Sequence, residues 1–129
     1  MINAVPEVYL KAHLDEQSKT ADAVTAEAFA EHLRCYRDPA CVHAVCEDYR
    51  AAVSIDMKDT HADHGRKVSQ PLLALWGAKG TVGKLFDVIP LWKLEADSIK
   101  GEGLPCGHLI PEEAPEALLG ALGQFLVAG

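Results

Sequence analysis

His108 is the residue of this sequence best placed for proton-transfer chemistry. It lies in the segment PCGHLIPEEAPEALL, residues 105–119, where a strand-like run ends and an acidic turn leads into a helix. An imidazole takes up and returns a proton near neutral pH. Gly107 permits the sharp turn that would present this ring at the carboxyl end of a strand, where α/β enzymes place their sites. His108 is therefore a candidate catalytic residue, and a structural or exposed histidine is the alternative at this point.

Other metal-ligating or acid–base side chains lack the arrangement that a site requires. His61 and His64 are three residues apart and have aspartates nearby, but no third ligand is placed around them, so we predict no metal. Glu112 and Glu113 are adjacent, so their side chains diverge, and we interpret them as helix-entry charges favoured by the helix dipole. We also predict no cofactor.

The cysteines are expected to be reduced thiols that pack against apolar neighbours. The sequence has four, at Cys35, Cys41, Cys46 and Cys106, and none forms a C-x-x-C pair. Unpaired thiols of this kind are typical of a cytoplasmic protein. Cys106 is only two residues from His108, and catalytic partners meet in space rather than along the chain, so we predict a packing role for it.

Composition excludes several classes of partner. The chain has 129 residues, 49% of them apolar, and a net charge of −7, with no basic cluster longer than residues 65–67. Nucleic acid and anionic membrane surfaces are therefore poor partners. No apolar run approaches the roughly 18 residues that a membrane span needs, and the amino terminus lacks a signal-peptide pattern. We expect a cytoplasmic protein that acts on a small molecule.

Residues 1–68 predict a series of helices. Pro6 opens the first, Thr25 caps the second, and the pair Asp38-Pro39 starts the third. The third helix has one apolar face, formed by Val42, Val45, Cys46, Tyr49, Ala52 and Val53. Its opposite face contains His43, Glu47 and Arg50, of which the last two can pair. A fourth, polar helix is predicted over roughly Asp59–Arg66, with Gly65 ending it.

Residues 69–129 predict a strand-helix-strand-helix order. The elements are a strand at Leu72–Trp76 that is buried on both faces, a glycine-containing loop at 78–83, a helix within Leu85–Ala96 limited by Pro90, a strand at Ser98–Cys106 and a last helix from Pro115. Gly120 and Gly123 in the last helix predict close helix–sheet contact. Trp76 and Trp92 are predicted to be core residues.

Three segments together resemble the haloacetate (fluoroacetate) dehalogenases, a branch of the α/β-hydrolases. They are CEDYRAA at 46–52, PLLALWGAKG at 71–80 and PCGHLIPEEAPE at 105–116, in the family's order and close to its spacing. The third is widely shared among α/β-hydrolases, whereas the first, in a cap helix, is more specific. The resemblance covers nearly the full chain and matches the family's carboxyl-terminal part. It implies an α/β fold with a helical cap segment at 1–68 and a carboxyl-terminal αβ segment of the hydrolase core at 69–129.

The resemblance also implies a two-step reaction. In this family an aspartate displaces halide from the α-carbon of a haloacetate, and a histidine then activates water to hydrolyse the resulting ester. His108 matches that histidine. Tyr49 matches a cap tyrosine that helps to hold the departing halide, although a core tyrosine bonded to backbone is the structural alternative.

Several parts of such an active site have no counterpart in this sequence. There is no nucleophile elbow of the G-x-[S/D/C]-x-G type, since HADHG at 61–65 follows no apolar strand, and there is no HGGG-type oxyanion segment. Residues 78–80, where many α/β-hydrolases have the triad acid, contain none. The haloacetate dehalogenases place that acid after an earlier strand, and Asp87 is the nearby alternative.

Three functional hypotheses follow. The chain is the histidine-bearing part of a haloacetate dehalogenase-like hydrolase, or of another capped α/β-hydrolase such as an epoxide hydrolase or esterase, or it is a non-catalytic remnant that self-associates or binds a partner. Two strands alone leave unpaired edges and apolar faces. We therefore expect the chain to need an amino-terminal half or self-association, and to be inactive by itself.

Overall fold

The structure, a computed structural model, describes residues 2–128, which divide into two compact units. The first unit contains residues 2–14 and 24–64. The second contains residues 15–23 and everything from residue 65 onward. The boundary near residue 68 remains a prediction about domain organisation.

The first unit is built from helices. They are a 3-10 turn at Ile2–Ala4 and the α-helices α1 (Pro6–Gln17), which begins in this unit, α2 (Ala26–Tyr36), α3 (Pro39–Ala52) and α4 (Ile55–Ala62). The predicted helix starts are confirmed: α1 begins at Pro6, the Thr25 hydroxyl accepts from Ala28 N–H at 3.2 Å, and Asp38 accepts from Ala40 N–H at 2.9 Å. Each cap satisfies a backbone donor that the helix itself leaves unpaired.

The fourth helix begins four residues earlier than the sequence predicted. It covers Ile55–Ala62 rather than roughly Asp59–Arg66, and it starts after Ser54, which makes no side-chain cap. The prediction that this helix is exposed is confirmed along its whole length. Gly65 has a φ of +85°, a conformation that suits glycine and that follows the end of the helix.

The apolar face of α3 is buried only in its first half. Val42 is buried, as are Leu10 and Leu33 elsewhere in the described part of this unit. Tyr49 and Val53, further along the same face, are 66% and 74% exposed. The predicted face therefore exists as a sequence pattern, but the first unit covers only part of it.

The second unit has the predicted α/β order. Strand β1 (Leu72–Gly77) pairs in parallel with β2 (Ile99–Leu104), with Leu72 opposite Ile99 and Gly77 opposite Leu104. Between them lie α5 (Thr81–Leu85) and α6 (Val88–Glu95), and after them α7 (Ile110–Glu113) and α8 (Pro115–Ala128). The α/β fold class is confirmed. The predicted loop at 78–83 is shorter than expected because α5 begins at Thr81.

Strand β1 is not buried on both faces, contrary to the sequence prediction. Ala74 and Gly77 are buried, whereas the other four residues of the strand are only half-buried. Within residues 2–128, β1 pairs with β2 alone, so its second edge has no strand neighbour. A continuous apolar run is typical of a strand that is buried on both faces, and the described residues bury β1 only in part.

Helix α8 corrects a second expectation. Side chains added at Gly120 or Gly123 would meet no atom within 4 Å among the described residues, so neither glycine marks close helix–sheet contact. Leu119, Leu126 and Val127 on this helix are exposed. The two glycines therefore face open space.

None of the helices within residues 2–128 combines the length and the apolar character that crossing a membrane requires. All four cysteines are unpaired thiols.

Candidate functional site

An open apolar cavity of about 470 Å³ lies along β1 in the second unit. It is lined by all six residues of β1, by Gly80, Thr81, Val82, Val88 and Trp92, and by His108 and Ile110. Trp76 and Trp92, which we predicted to be core residues, line this cavity, and Trp92 is 41% exposed. A concave, largely apolar surface with one imidazole at its wall has the character of a small-molecule site.

His108 lies at this wall because three consecutive backbone N–H groups fix the loop that carries it. Gly107 N–H donates to Glu113 Oε2 at 2.8 Å, and Leu109 N–H donates to Glu113 Oε1 at 3.0 Å. Between them, His108 N–H donates to the carbonyl of Gln17 at 3.1 Å. The His108 side chain is exposed while its backbone is held on both sides. Such a loop presents a ring to a ligand without giving the loop freedom to move.

Glu113 is the acceptor that joins this loop to the segment 15–23. Its Oε2 also accepts from Lys19 N–H at 2.8 Å, so one carboxylate accepts three backbone hydrogen bonds. Partial burial alone would raise the pKa of Glu113, but the N–H donors of Gly107, Lys19 and Leu109, together with the Thr20 hydroxyl, outweigh it and leave that pKa below its ordinary value. The carboxylate is therefore charged at neutral pH.

Glycine is required at two places where the end of β1 meets this loop. A Cβ on Gly107 would lie 2.5 Å from Gln17 O and 2.7 Å from Glu113 Oε1. A Cβ on Gly77 would lie 1.5 Å from Gly107 O. The strand end, the loop and the segment 15–23 approach one another at backbone distance, which only residues without side chains permit.

Cys106 packs beside the loop, as predicted. Its side chain is 0% exposed. Burial raises the pKa of the Cys106 thiol, the nearby Glu113 charge raises it further, and Lys79 opposes both. A buried thiol with a raised pKa is a poor nucleophile, so the structure gives Cys106 a packing position.

Tyr49 lies in the first unit, on the second half of α3, with its side chain 66% exposed. Among the residues that the structure describes, Tyr49 is therefore exposed rather than packed in a core. The neighbouring pair Glu47–Arg50 forms on the opposite face, as predicted, with His43 Nδ1 at 3.8 Å from Glu47 Oε1.

The remaining candidates are exposed and dispersed. His61 and His64 are exposed side chains in and just after α4, and Asp87 is the exposed residue before α6. Within residues 2–128, no group of three or more His, Cys, Asp or Glu side chains is placed to hold a metal ion.

Sequence reasoning missed the role of Glu113. Its position in the first turn of a helix is as predicted, but its three backbone contacts are not explained by the helix dipole. One of these contacts is local: the Glu113 side chain accepts from Leu109 N–H four residues earlier, at 3.0 Å. A glutamate that accepts from the N–H of an N-cap residue is half of a capping box, and the Leu109 side chain cannot supply the other half. The contact with Lys19, 94 residues away, left no local signal.

Two curated relatives are similar to nearly the whole chain. A fluoroacetate dehalogenase from Burkholderia sp is 32% identical over 127 residues, which is 98% of this chain and 42% of the relative. A soluble epoxide hydrolase from Corynebacterium sp. (strain C12) is 26% identical over 121 residues, 92% of this chain and 41% of the relative. The chain thus spans about two fifths of the length of these relatives. No protein-family model matches it.

Solved structures match the fold closely over the same share of their length. A candidate acyltransferase from Salmonella enterica is 46% identical with a TM-score of 0.96, covering 99% of this chain and 42% of that one. A candidate α/β-hydrolase from Nostoc sp PCC 7120 is also 46% identical, with a TM-score of 0.93, covering 97% of this chain and 43% of that one. These likenesses extend across both units of the chain.

Proposed function

Because this chain belongs to the α/β-hydrolase family, we propose that it supplies the water-activating histidine of a haloacetate dehalogenase-like hydrolase. The observation that carries the proposal is the position of His108. Its ring is exposed at the wall of an apolar cavity, on a loop whose backbone is fixed at the end of two parallel strands. The 32% identity to a fluoroacetate dehalogenase supports the choice of reaction.

The proposed reaction has two steps. An aspartate carboxylate attacks the α-carbon of a haloacetate, a carbon–oxygen bond forms, and the carbon–halogen bond breaks with release of halide. His108 then takes a proton from water, and the resulting hydroxide attacks the carbonyl of the aspartyl ester. The ester bond breaks, which returns the aspartate and releases the hydroxyacid, and the proton on His108 passes to solvent.

We further propose that Tyr49 donates a hydrogen bond to the departing halide. A phenol hydroxyl is a suitable donor to an anion, and this side chain is 66% exposed on an otherwise apolar face of α3. An exposed hydroxyl is available to a ligand, whereas a core tyrosine would be committed to the protein.

The nucleophile in this proposal comes from another polypeptide segment, because the sequence has no nucleophile elbow. The described residues offer a surface for such a segment. The second edge of β1 has no strand neighbour within residues 2–128, and apolar side chains including Leu85, Phe86 and Leu94 are more than half exposed nearby in sequence. An unpaired edge beside exposed apolar groups favours association. We therefore propose that a nucleophile-bearing amino-terminal half, rather than a second copy, covers β1, and that the chain is inactive without it.

A cytoplasmic location is part of the same proposal. It is supported by the four unpaired thiols, which persist in a reducing compartment.

An epoxide hydrolase is the second candidate function. The 26% identity to a soluble epoxide hydrolase favours it, and the same His108 would hydrolyse an aspartyl ester formed by epoxide opening instead of halide displacement. The two candidates differ in the leaving atom. Fluoride release distinguishes them, because an epoxide substrate yields a diol and no halide.

A fusion of the part of the Burkholderia fluoroacetate dehalogenase that this chain does not match to this chain tests the proposal. We expect fluoride release from fluoroacetate by the fusion and none by the chain alone. His108→Ala in the fusion should stop turnover after one fluoride per site and leave the aspartyl ester, which mass spectrometry detects, because only the hydrolytic step needs the imidazole. His61→Ala is the matched control and should turn over normally. Steady turnover by the His108→Ala fusion would contradict the proposal.

A further inference from the structure

We infer that Glu113 is a positioning residue for His108, in that its carboxylate ties the backbone on both sides of the histidine to the segment 15–23. The inference deepens the proposed function and depends on it for the catalytic meaning of His108. The positioning itself is a structural property that can be measured without any reaction.

The two residues that flank His108 share one hydrogen-bond acceptor. Gly107 and Leu109 flank His108, and both donate to the Glu113 carboxylate, at 2.8 Å and 3.0 Å. The Cα of His108 is thereby held between two residues that share one acceptor. A loop fixed at both neighbours has little freedom to change the direction of the side chain between them.

The segment 15–23 anchors the loop from outside. Lys19 N–H donates to the same Oε2 that accepts from Gly107, and His108 N–H donates to Gln17 O. Segment 15–23 therefore contributes both a donor to the carboxylate and an acceptor for the histidine backbone. The carboxylate joins two parts of the chain that are 94 residues apart.

The Glu113 carboxylate has two acceptor oxygens, and both are used. Oε2 accepts two N–H groups and Oε1 accepts one, which a carboxylate can do because both oxygens are acceptors. A glutamine in the same place has one acceptor oxygen and an NH₂ group that would face an N–H. It would leave at least one of the three donors without a partner.

The charges around Glu113 do not supply a competing explanation. The ammonium of Lys19 donates to the Glu16 carbonyl, so Lys19 meets Glu113 through its backbone N–H. The Cys106 thiol is neutral at physiological pH because its pKa is raised, and Lys79 acts on that thiol in the opposite direction. The carboxylate is therefore placed for backbone donors rather than for a salt bridge.

Amide hydrogen exchange in the full 129-residue chain, measured by NMR, tests the inference directly. We expect Glu113→Gln to accelerate exchange at Gly107, Leu109 and Lys19 by about tenfold or more, since these amides lose or weaken their acceptor. The His108 ring signals should broaden or shift with them. Glu116→Gln is the matched control: it removes the same charge from the first turn of α8 and should leave these amides unchanged. Unchanged exchange at Gly107 and Leu109 in Glu113→Gln would overturn the inference.

Two further measurements keep the test decisive. If circular dichroism shows that Glu113→Gln is unfolded, the same amides are followed in the wild type as the pH falls through the folded-state pKa of Glu113, which lies below the ordinary 4.5, because protonation turns one of the two acceptor oxygens into a hydroxyl without a substitution. Protection factors at Gly107, Leu109 and Lys19 that all stay unchanged after protonation contradict the inference. In the fusion described above, Glu113→Gln should lower kcat by about tenfold with KM within about twofold, as for a residue acting through a catalytic group. A fusion that releases no fluoride, while the exchange result holds, refutes the proposed function and leaves the positioning role standing.

Discussion

The loop that carries His108 and the helix that carries Tyr49 fix their candidate residues in opposite ways. The loop depends on partners far away in sequence, namely Gln17, Lys19 and the end of β1. Helix α3 depends on neighbours: Asp38 caps it, and Glu47 pairs with Arg50 three residues on. Both arrangements leave the candidate side chain exposed.

The two kinds of support should respond differently to substitution. A residue presented by a helix keeps its place as long as the helix forms, and helix formation is a local property with several small contributions. A residue presented by a tertiary junction depends on a few contacts that have no substitute. Single substitutions should therefore have large effects at the loop and small effects at α3.

The largest effect is expected for Gly107→Ala. The new methyl group would lie 2.5 Å from Gln17 O and 2.8 Å from Lys19 N, so the junction must open to admit it. We expect the free energy of unfolding, measured by thermal or urea denaturation, to fall by at least about 2–3 kcal/mol. Gly120→Ala is the control, because its methyl group would meet nothing within 4 Å among the described residues. It should raise the free energy of unfolding by about 1 kcal/mol through helix propensity. Equal losses of unfolding free energy for the two variants would contradict the expected difference between the loop junction and the helix.

The next effect concerns pH. The pKa of Glu113 is lowered in the folded chain: burial raises it, but the N–H donors of Gly107, Lys19 and Leu109 prevail. A lowered folded-state pKa means that this carboxylate stabilises the fold above its ordinary value of 4.5 and that the contribution is lost as pH falls through the folded-state value. We expect Glu113→Gln to be less stable than the wild type by about 1.5–3 kcal/mol at neutral pH, a difference that shrinks in acid. Urea unfolding at a series of pH values measures it, and a difference independent of pH would contradict the assignment.

The smallest effect is expected at the start of α3. Asp38→Ala removes the acceptor for Ala40 N–H, and we expect a loss of about 1 kcal/mol, measured as a shift in the urea midpoint. Asp48→Ala, in the middle of the same helix and exposed, should change stability by no more than about 0.5 kcal/mol. If Asp38→Ala lowered the free energy of unfolding as much as Gly107→Ala, α3 would not be the more tolerant of the two to substitution.

Local patterns in the sequence predicted the helical supports well. Pro6, Thr25 and Asp38 marked helix starts that the structure confirms, since capping is decided by residues within one turn. The two parallel strands β1 and β2 were also expected, from the strand-helix-strand order and from the apolar run of β1. The predictions of burial were wrong where other segments of the chain determine whether a residue is covered. The half-buried state of β1, the exposure of Trp92 and the open space at Gly120 all depend on what lies beside them.

The α/β order of elements, the caps of α2 and α3 and the place of His108 after a strand and a glycine could be read from the chain without its fold. These features follow from short-range rules: a proline or cap residue sets a helix start, and a glycine permits a turn. The position of His108 at the wall of an apolar cavity, and the hydrogen bonds by which Glu113 holds its loop, became visible in the folded chain. The reason is that the loop's acceptors include the Gln17 carbonyl and a carboxylate shared with Lys19, and no local pattern records contacts across 94 residues.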